Sequence, residues 1–127
     1  MTSSTEQTVF IVDDDVAVRD ALALLLGLKG YRTSIYSSAE DFLAAFRKDW
    51  RGCLVLDIKM GGMNGLELQA RLNEQDAEIP IVMITGHGDA ASARQALKSG
   101  AVDFLEKPVD DEQLVAAVAA ALERDAK

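Results

Sequence analysis

Residues 81–108, IVMITGHGDAASARQALKSGAVDFLEKP, contain the pattern that decides the fold. The apolar run at 81–84 is typical of a buried strand. Residues 90–99 follow as a short helix that ends at Gly100, because glycine commonly terminates helices. A second strand is predicted at 102–105. A strand, a helix and a strand in this order predict two parallel strands joined by a crossover helix.

The same alternation extends toward both ends of the chain. Short apolar runs predict three further strands at residues 9–12, 33–36 and 54–56. Helical signals follow each of them, and one more follows the strand at 102–105. These signals are the apolar stripe Val18, Leu22 and Leu25 before Gly30, the capping-box pair Ser37 and Glu40 opening a helix to about Lys48, the pair Asn64 and Glu67, and Asp110 before Leu114, Val118 and Leu122.

The polarity of the strands predicts their order in the sheet. The first, third and fourth strands are apolar on both faces, as interior strands of a parallel sheet must be. The second carries Arg32, Thr33 and Ser34, and the fifth carries Asp103, so we expect these two at the edges. With right-handed crossovers, the prediction is an α/β fold with a five-stranded parallel sheet, order 2-1-3-4-5, and helices on both faces.

Composition narrows the class of protein. Twenty-one acidic residues against 13 basic ones give a net charge of −8, which argues against nucleic acid contact by this domain. No apolar run approaches the roughly 20 residues that span a bilayer, and the polar start does not resemble a leader, so we expect no membrane contact and a cytoplasmic location. The single cysteine, Cys53, excludes an internal disulfide and is expected to be buried.

The chain has no internal linker, so we expect one domain. Its predicted limits are residues 8–124, with a flexible N-terminal segment at 1–7 and a C-terminal tail at 125–127. The tail is either the start of a linker to an output domain or the end of a single-domain protein.

Three carboxylates are expected at one edge of the sheet. Ligands of such sheets bind outside the carboxyl ends of the strands where the winding reverses, here between the first and third strands. Asp13 and Asp14 follow the first strand, and Asp57 follows the third. Two carboxylates about 4 Å apart repel by about 4 kcal/mol at an effective dielectric near 20, and a divalent cation removes that cost. Oxygen ligands favour Mg²⁺.

Two further strand ends add complementary groups. Thr85 supplies a hydroxyl after the fourth strand, and Lys107 supplies an ammonium after the fifth. Taken singly, the acids suit helix caps, Thr85 a turn and Lys107 a solvated surface. Taken together, they predict a site for phosphoryl transfer in which Asp57 is the nucleophile.

Five short motifs follow one another along residues 8–123. They are Val12-Asp-Asp14, Leu56-Asp57, Met60-x-Gly-Met-Asn-Gly65, Ile84-Thr-Gly-His-Gly88 and Gly100-Ala-x-Asp-Phe-Leu-x-Lys-Pro108. On these motifs the chain resembles the receiver domains of two-component response regulators, and the resemblance is strongest to FixJ-type transcriptional regulators.

The resemblance implies a role for each matching residue. A histidine kinase would phosphorylate Asp57, and Mg²⁺ would be held by Asp13, Asp14, Asp57 and the backbone carbonyl of Lys59. Lys107 would pair with the phosphoryl oxygens, and the Lys107–Pro108 bond is expected to be cis. Thr85 would move to hydrogen-bond the phosphoryl group, and Phe104 would follow it. The signal would reach the face formed by the fourth helix, fifth strand and fifth helix, through which we expect homodimerisation on phosphorylation.

Several features leave alternatives open. Gly61 replaces the family's proline, which predicts a more mobile loop at 60–63. Lys59 and His87 could set the lifetime of the phosphorylated state, although His87 is equally compatible with a solvent-exposed loop. The alanine-rich stretch 116–121 suits either a close helix contact or simple helix formation.

Three other functions compete with phosphorelay signalling. A haloacid-dehalogenase-type phosphatase would use Asp13-x-Asp15, but the sequence shows no cap domain and no later acidic loop. A flavodoxin-like flavin carrier would need a Ser/Thr/Gly-rich first loop in place of this acidic one. A degenerate receiver would lack part of the residue set, which is complete here.

Overall fold

Five parallel strands form one sheet in the computed structural model, which describes residues 6–86 and 89–126. The strand order is β2-β1-β3-β4-β5, as predicted. The strands are β1 Thr8–Val12, β2 Arg32–Tyr36, β3 Gly52–Asp57, β4 Ile81–Thr85 and β5 Asp103–Glu106. The helices are α1 Val16–Leu28, α2 Ala39–Ala45, α3 Gly65–Glu74, α4 Ala90–Lys98 and α5 Asp111–Asp125.

The helices cover the sheet in two layers because side chains alternate along each strand. Val9, Val55 and Val82 point to the face on which α1 and α5 pack, and this core includes Leu26 and Val118. The intervening strand residues form a second core with α2, α3 and α4. Both faces of the central strands are therefore buried under helices, which confirms the predicted α/β layering.

The edge strands are those that the polarity predicted. Every residue of β3 and β4 is buried, including Cys53, whereas β2 and β5 each contain exposed residues. No helix in the described part of the chain is both long and apolar enough to cross a membrane.

Most helix starts agree with the sequence, but that of α2 does not. Asn64 and Glu67 form the predicted capping box of α3, and Asp110 caps α5. The predicted cap of α2 at Ser37 is wrong, because the Ser38 side chain accepts the N–H of Asp41. The two serines are adjacent, so the pattern was displaced by one residue.

The two other parts of the α2 prediction, the capping-box role of Glu40 and the end at Lys48, are also wrong. Glu40 does not complete a capping box, because its carboxylate accepts the N–H of Met63 from another loop at 2.8 Å. That hydrogen bond lowers the pKa of Glu40 below its ordinary value. The helix ends at Ala45, short of the predicted Lys48, and the aromatic cluster of Phe46 and Trp50 follows it.

Asp125, at the end of α5, binds residues at the edge of the sheet that lies opposite the acidic cluster. Its Oδ2 accepts hydrogen bonds from Gln7 Nε2, Arg51 Nε and Gly52 N at 2.9, 3.2 and 3.0 Å. The helix therefore includes the first residue of the predicted tail. Gln7, from the predicted flexible segment, also donates to the Leu122 carbonyl, while residues 1–5 and 127 lie outside the described residues.

Candidate functional site

Asp13, Asp14 and Asp57 meet at the carboxyl ends of β1 and β3. One carboxylate oxygen from each lies within 4.8 Å of the others. Asp13 and Asp57 are 1 % and 3 % exposed, whereas Asp14 lies at the open mouth of the pocket. The parallel register explains the meeting, since neighbouring strands end at the same edge of the sheet.

Lys107 reaches the same pocket from the end of β5. Its Nζ lies 3.2 Å from Asp57 Oδ2 and 3.6 Å from Asp13 Oδ2. Its backbone N–H donates to the Thr85 carbonyl at 2.8 Å, which extends the pairing of β4 and β5 by one bond. The Lys107–Pro108 peptide bond is cis, as predicted.

The electrostatics of the pocket make ionisation of Asp57 more costly than in water. Burial first, and then the charge of Asp13, raise the pKa of Asp57 to about 6, although Lys107 acts in the opposite direction. Burial alone would lower the pKa of Lys107, but the charges of Asp57 and Asp13 outweigh it, so its pKa is raised. The pocket therefore holds more negative charge than its single ammonium balances.

The oxygen atoms of the pocket fit a hard divalent cation. Asp13 Oδ2 is buried and has no hydrogen-bond donor, while its Oδ1 accepts from Asp15 N at 2.9 Å. Among the described residues, Asp57 Oδ1 accepts only a long bond, 3.3 Å, from Lys59 N. Asp13 Oδ2 shares the Lys107 ammonium with Asp57, so a second cation would be stabilised here. A set of oxygen ligands suits Mg²⁺ rather than a transition metal.

Thr85 ends β4 with its side chain engaged by the loop that follows. It is 2 % exposed, and its hydroxyl donates to the carbonyls of Gly86 and Asp89 at 3.4 and 3.5 Å. Bonds of this length are weak. Phe104 on β5 is 36 % exposed, and His87 lies outside the described residues.

The β3–α3 loop is bonded to two other elements of the fold. Gly61 N donates to Asp14 Oδ2 at 3.0 Å, a bond that proline could not make. Gly62 has φ +73°, and a Cβ there would lie 2.6 Å from Glu40 Oε2, so this position requires glycine. The greater mobility predicted for this loop stays a prediction.

Gly65, at the start of α3, lies directly against the backbone of Asp57. A Cβ at this position would be 2.6 Å from the Asp57 carbonyl oxygen, and Gly65 N donates to the Ile58 carbonyl at 2.8 Å. The first turn of α3 therefore sets the position of the backbone that carries Asp57.

Comparison with known proteins identifies the family. The family described as response regulator receiver domain matches residues 9–119. This chain is a receiver domain. Receiver domains of response regulators act as phosphorylation-driven switches.

The relatives of this receiver domain include transcriptional regulators. It is 47 % identical over 119 residues to the transcriptional regulatory protein FixJ of Azorhizobium caulinodans, covering 94 % of this chain and 56 % of FixJ. The response regulator protein TodT of Pseudomonas putida is 43 % identical over 120 residues, covering 94 % of this chain and 53 % of TodT. The chain thus spans about half the length of the curated relatives that it matches.

Solved structures agree with the fold. The crystal structure of FixJ-N has a TM-score of 0.87 and 45 % identity, covering 93 % of this chain and 94 % of that one. A low-resolution structure of the response regulator StyR has a TM-score of 0.90 and 43 % identity, covering 95 % of this chain and 61 % of that one.

Sequence reasoning missed two contacts that support the acidic pocket of this receiver domain. Arg19 Nη1 donates to the Asp13 carbonyl at 3.0 Å, and Lys59 Nζ lies 3.9 Å from Asp89 Oδ2. Neither contact follows from residue spacing. The Arg19 side chain reaches back to a backbone carbonyl six residues earlier, and Lys59 and Asp89 lie on different loops.

Proposed function

We propose that this receiver domain accepts a phosphoryl group on Asp57 from a phosphohistidine of a histidine kinase, in the presence of Mg²⁺. The observation that carries the proposal is the contact of Asp57 with Lys107 at 3.2 Å, inside a cluster that includes Asp13 and Asp14. Repelling carboxylates beside one lysine suit a site that binds a cation and then a phosphoryl group.

The transfer forms one bond and breaks another. A carboxylate oxygen of Asp57 attacks phosphorus, the bond between phosphorus and the histidine nitrogen breaks, and the leaving imidazole keeps the electron pair and takes up a proton. Lys107 is near enough to Asp57 to balance charge on a phosphoryl oxygen through a charge-assisted hydrogen bond. The domain would thus catalyse its own modification, without turnover of a separate substrate.

The side chains of Asp13, Asp14 and Asp57 and the backbone carbonyl of Lys59 would hold the metal. When bound, Mg²⁺ offsets the negative charge of the carboxylates and of the incoming phosphoryl oxygens. The buried Asp13 Oδ2, which shares the Lys107 ammonium with Asp57, supports this assignment from the side chains alone.

The switch would begin at Thr85. A phosphoryl group adds about −1.5 to −2 charge and three strong acceptors. The Thr85 hydroxyl would exchange its long bonds to Gly86 and Asp89 for a bond to the phosphoryl group. Phe104, already partly exposed, would then change position on β5 and alter the face formed by α4, β5 and α5.

Association through this face would provide the readout. Leu97 on α4 and Phe104 on β5 are partly exposed apolar side chains that a homodimer formed through this face would cover. In the stretch 116–121, by contrast, Ala117, Val118 and Ala121 are buried in the domain's own core. We further propose that the output is transcription, in the cytoplasm, with no nucleic acid or membrane contact by the domain itself.

Lys59 and His87 are proposed to influence how long the phosphoryl group persists. Lys59 lies two residues after Asp57, and its side chain is 74 % exposed at the pocket mouth. Alanine at both positions should change the dephosphorylation rate, and an unchanged rate would end the proposal.

The decisive experiment is intact mass spectrometry after incubation with acetyl phosphate and Mg²⁺. We expect the wild type to gain the mass of one phosphoryl group and Asp57→Asn to gain none. Asp15→Asn is the matched control, because asparagine can cap α1 as Asp15 does, and this variant should be phosphorylated normally. An unmodified wild type, or a modified Asp57→Asn, would contradict the proposal.

A second measurement separates the domain from a phosphatase of small molecules. Hydrolysis of a chromogenic phosphate ester should be undetectable with the wild type. Sustained turnover would favour the enzyme and would show that Asp57 or Asp13 serves a different reaction.

A further inference from the structure

An ion pair crosses the mouth of the pocket between two loops. Lys59, in the β3–α3 loop, places its Nζ 3.9 Å from Asp89 Oδ2 at the start of α4. Lys59 is 74 % exposed, whereas the Asp89 side chain is 17 % exposed, and its Oδ2 is buried without a hydrogen bond. Within residues 6–86 and 89–126, Lys59 therefore supplies a cation close to a buried carboxylate oxygen that accepts no hydrogen bond.

Asp89 does not do what its position predicts. Aspartate at the N-cap normally accepts a backbone N–H of the first helical turn. Asp89 is the N-cap of α4, yet its side chain makes no cap hydrogen bond. Its carboxylate lies 3.9 Å from the Lys59 ammonium instead.

The backbone of Asp89 is in contact with the switch residue. Its carbonyl accepts the Thr85 hydroxyl at 3.5 Å, and its N–H donates to the Gly86 carbonyl at 3.2 Å. The backbone N–H of Lys59 in turn donates to Asp57 Oδ1 at 3.3 Å. The ion pair thus joins the loop of the phosphoacceptor to the loop that holds Thr85.

We propose that Lys59 and Asp89 form a latch that positions Thr85 in its unphosphorylated arrangement and opens when Asp57 is phosphorylated. The inference rests on the proposed function. The phosphoryl group brings negative charge beside Lys59, and that charge competes with Asp89 for the ammonium. Release of Asp89 frees the start of α4, and the Thr85 hydroxyl then turns to the phosphoryl group. Asp89 is a positioning residue in this scheme, since it acts through Thr85.

The test is a double-mutant cycle of Lys59→Met, Asp89→Asn and both together. A partly exposed ion pair changes an equilibrium by only a few-fold, so each single variant should be phosphorylated by acetyl phosphate about two- to fivefold faster than the wild type. The double variant should be no faster than either single one, because the latch is already open. High salt should shrink the difference from wild type. Lys98→Met, which removes an unrelated charge from α4, is the matched control.

Amide hydrogen exchange of the metal-free proteins supplies a readout that needs no phosphorylation. Exchange in the first turn of α4, including Ala93, whose N–H donates to the Asp89 carbonyl, should be faster in both single variants than in Lys98→Met.

The possible outcomes separate the latch from simpler explanations. If Lys59 only attracts the anionic donor, Lys59→Met will slow phosphorylation while Asp89→Asn speeds it, and additive effects of that kind overturn the latch. Unchanged rates and exchange also overturn it, while phosphorylation of Asp57 in every variant leaves the proposed function intact. A wild type that takes no phosphoryl group overturns both.

Discussion

Replacement of Asp57 by asparagine should stabilise the metal-free fold near neutral pH. The wild-type carboxylate is ionised there although it is 3 % exposed and lies beside Asp13. Asparagine has nearly the same shape, carries no charge, and keeps an oxygen that can accept the hydrogen bond from Lys107. The variant therefore removes the electrostatic cost of the pocket without leaving a cavity.

The size of the effect follows from the shifted titration. Burial, followed by the charge of Asp13, raises the pKa of Asp57 from 3.8 to about 6, with Lys107 opposing. At about 1.4 kcal/mol per pH unit, this rise corresponds to about 3 kcal/mol, which screening through the open pocket mouth reduces to about 1–2 kcal/mol. The folded state binds this proton more tightly than the unfolded state. The contribution of Asp57 to stability is therefore fully present below pH 3.8 and is lost as the pH rises through about 6.

Urea unfolding in the presence of a chelator measures this difference. Trp50 reports unfolding, since its ring stacks on Phe10 at 4.8 Å. Asp57→Asn should exceed the wild type by about 1–2 kcal/mol at about pH 7.5 and by almost nothing at about pH 4. Added Mg²⁺ should narrow the gap by binding the wild-type fold more tightly. A variant no more stable than the wild type at the higher pH, or a gain that persists at the lower one, would refute the reasoning.

Three further substitutions test contacts around and opposite the pocket. Gly61→Pro removes the N–H that orients Asp14 and should weaken Mg²⁺ binding about two- to fivefold by calorimetry, whereas Gly61→Ala, which keeps the N–H and has space for its methyl group, should not. Gly62→Ala should lower the free energy of unfolding by about 1–2 kcal/mol, because alanine is strained at φ +73° and meets Glu40; an unchanged urea midpoint would contradict this. Asp125→Ala should cost about 2–3 kcal/mol in the same assay by leaving three donors without their acceptor, and a loss under 0.5 kcal/mol would show that water replaces it.

The sequence was sufficient to predict the fold because its apolar runs and its strand polarity are unambiguous. The edge positions of β2 and β5 followed from Arg32 and Asp103, and the sheet confirms them. The start of α2 was wrong because Ser37 and Ser38 are both good caps, and local pattern does not distinguish them. Glu40 was misinterpreted for a related reason, since its partner Met63 lies 23 positions away in the chain.

The site was predictable to the extent that strand ends determine it. Asp13, Asp57 and Lys107 meet because parallel strands finish at one edge of the sheet. The contacts of Asp89 and Arg19 could not be predicted, because they depend on the direction in which a side chain leaves a loop or a helix. Such directions are set by packing between elements rather than by residue spacing.

The close approach of Gly65 to Asp57 makes the α3 side of the acidic pocket more tightly packed than the α4 side. On the α3 side, backbone lies against backbone with no space for a methyl group, so this side is closely packed. On the α4 side, Thr85 is held by hydrogen bonds of 3.4 and 3.5 Å and Asp89 by an ion pair of 3.9 Å, which separate at small cost. We therefore expect a group added to Asp57 to displace the α4 side of the pocket, so that the resting protein already determines the direction of the response.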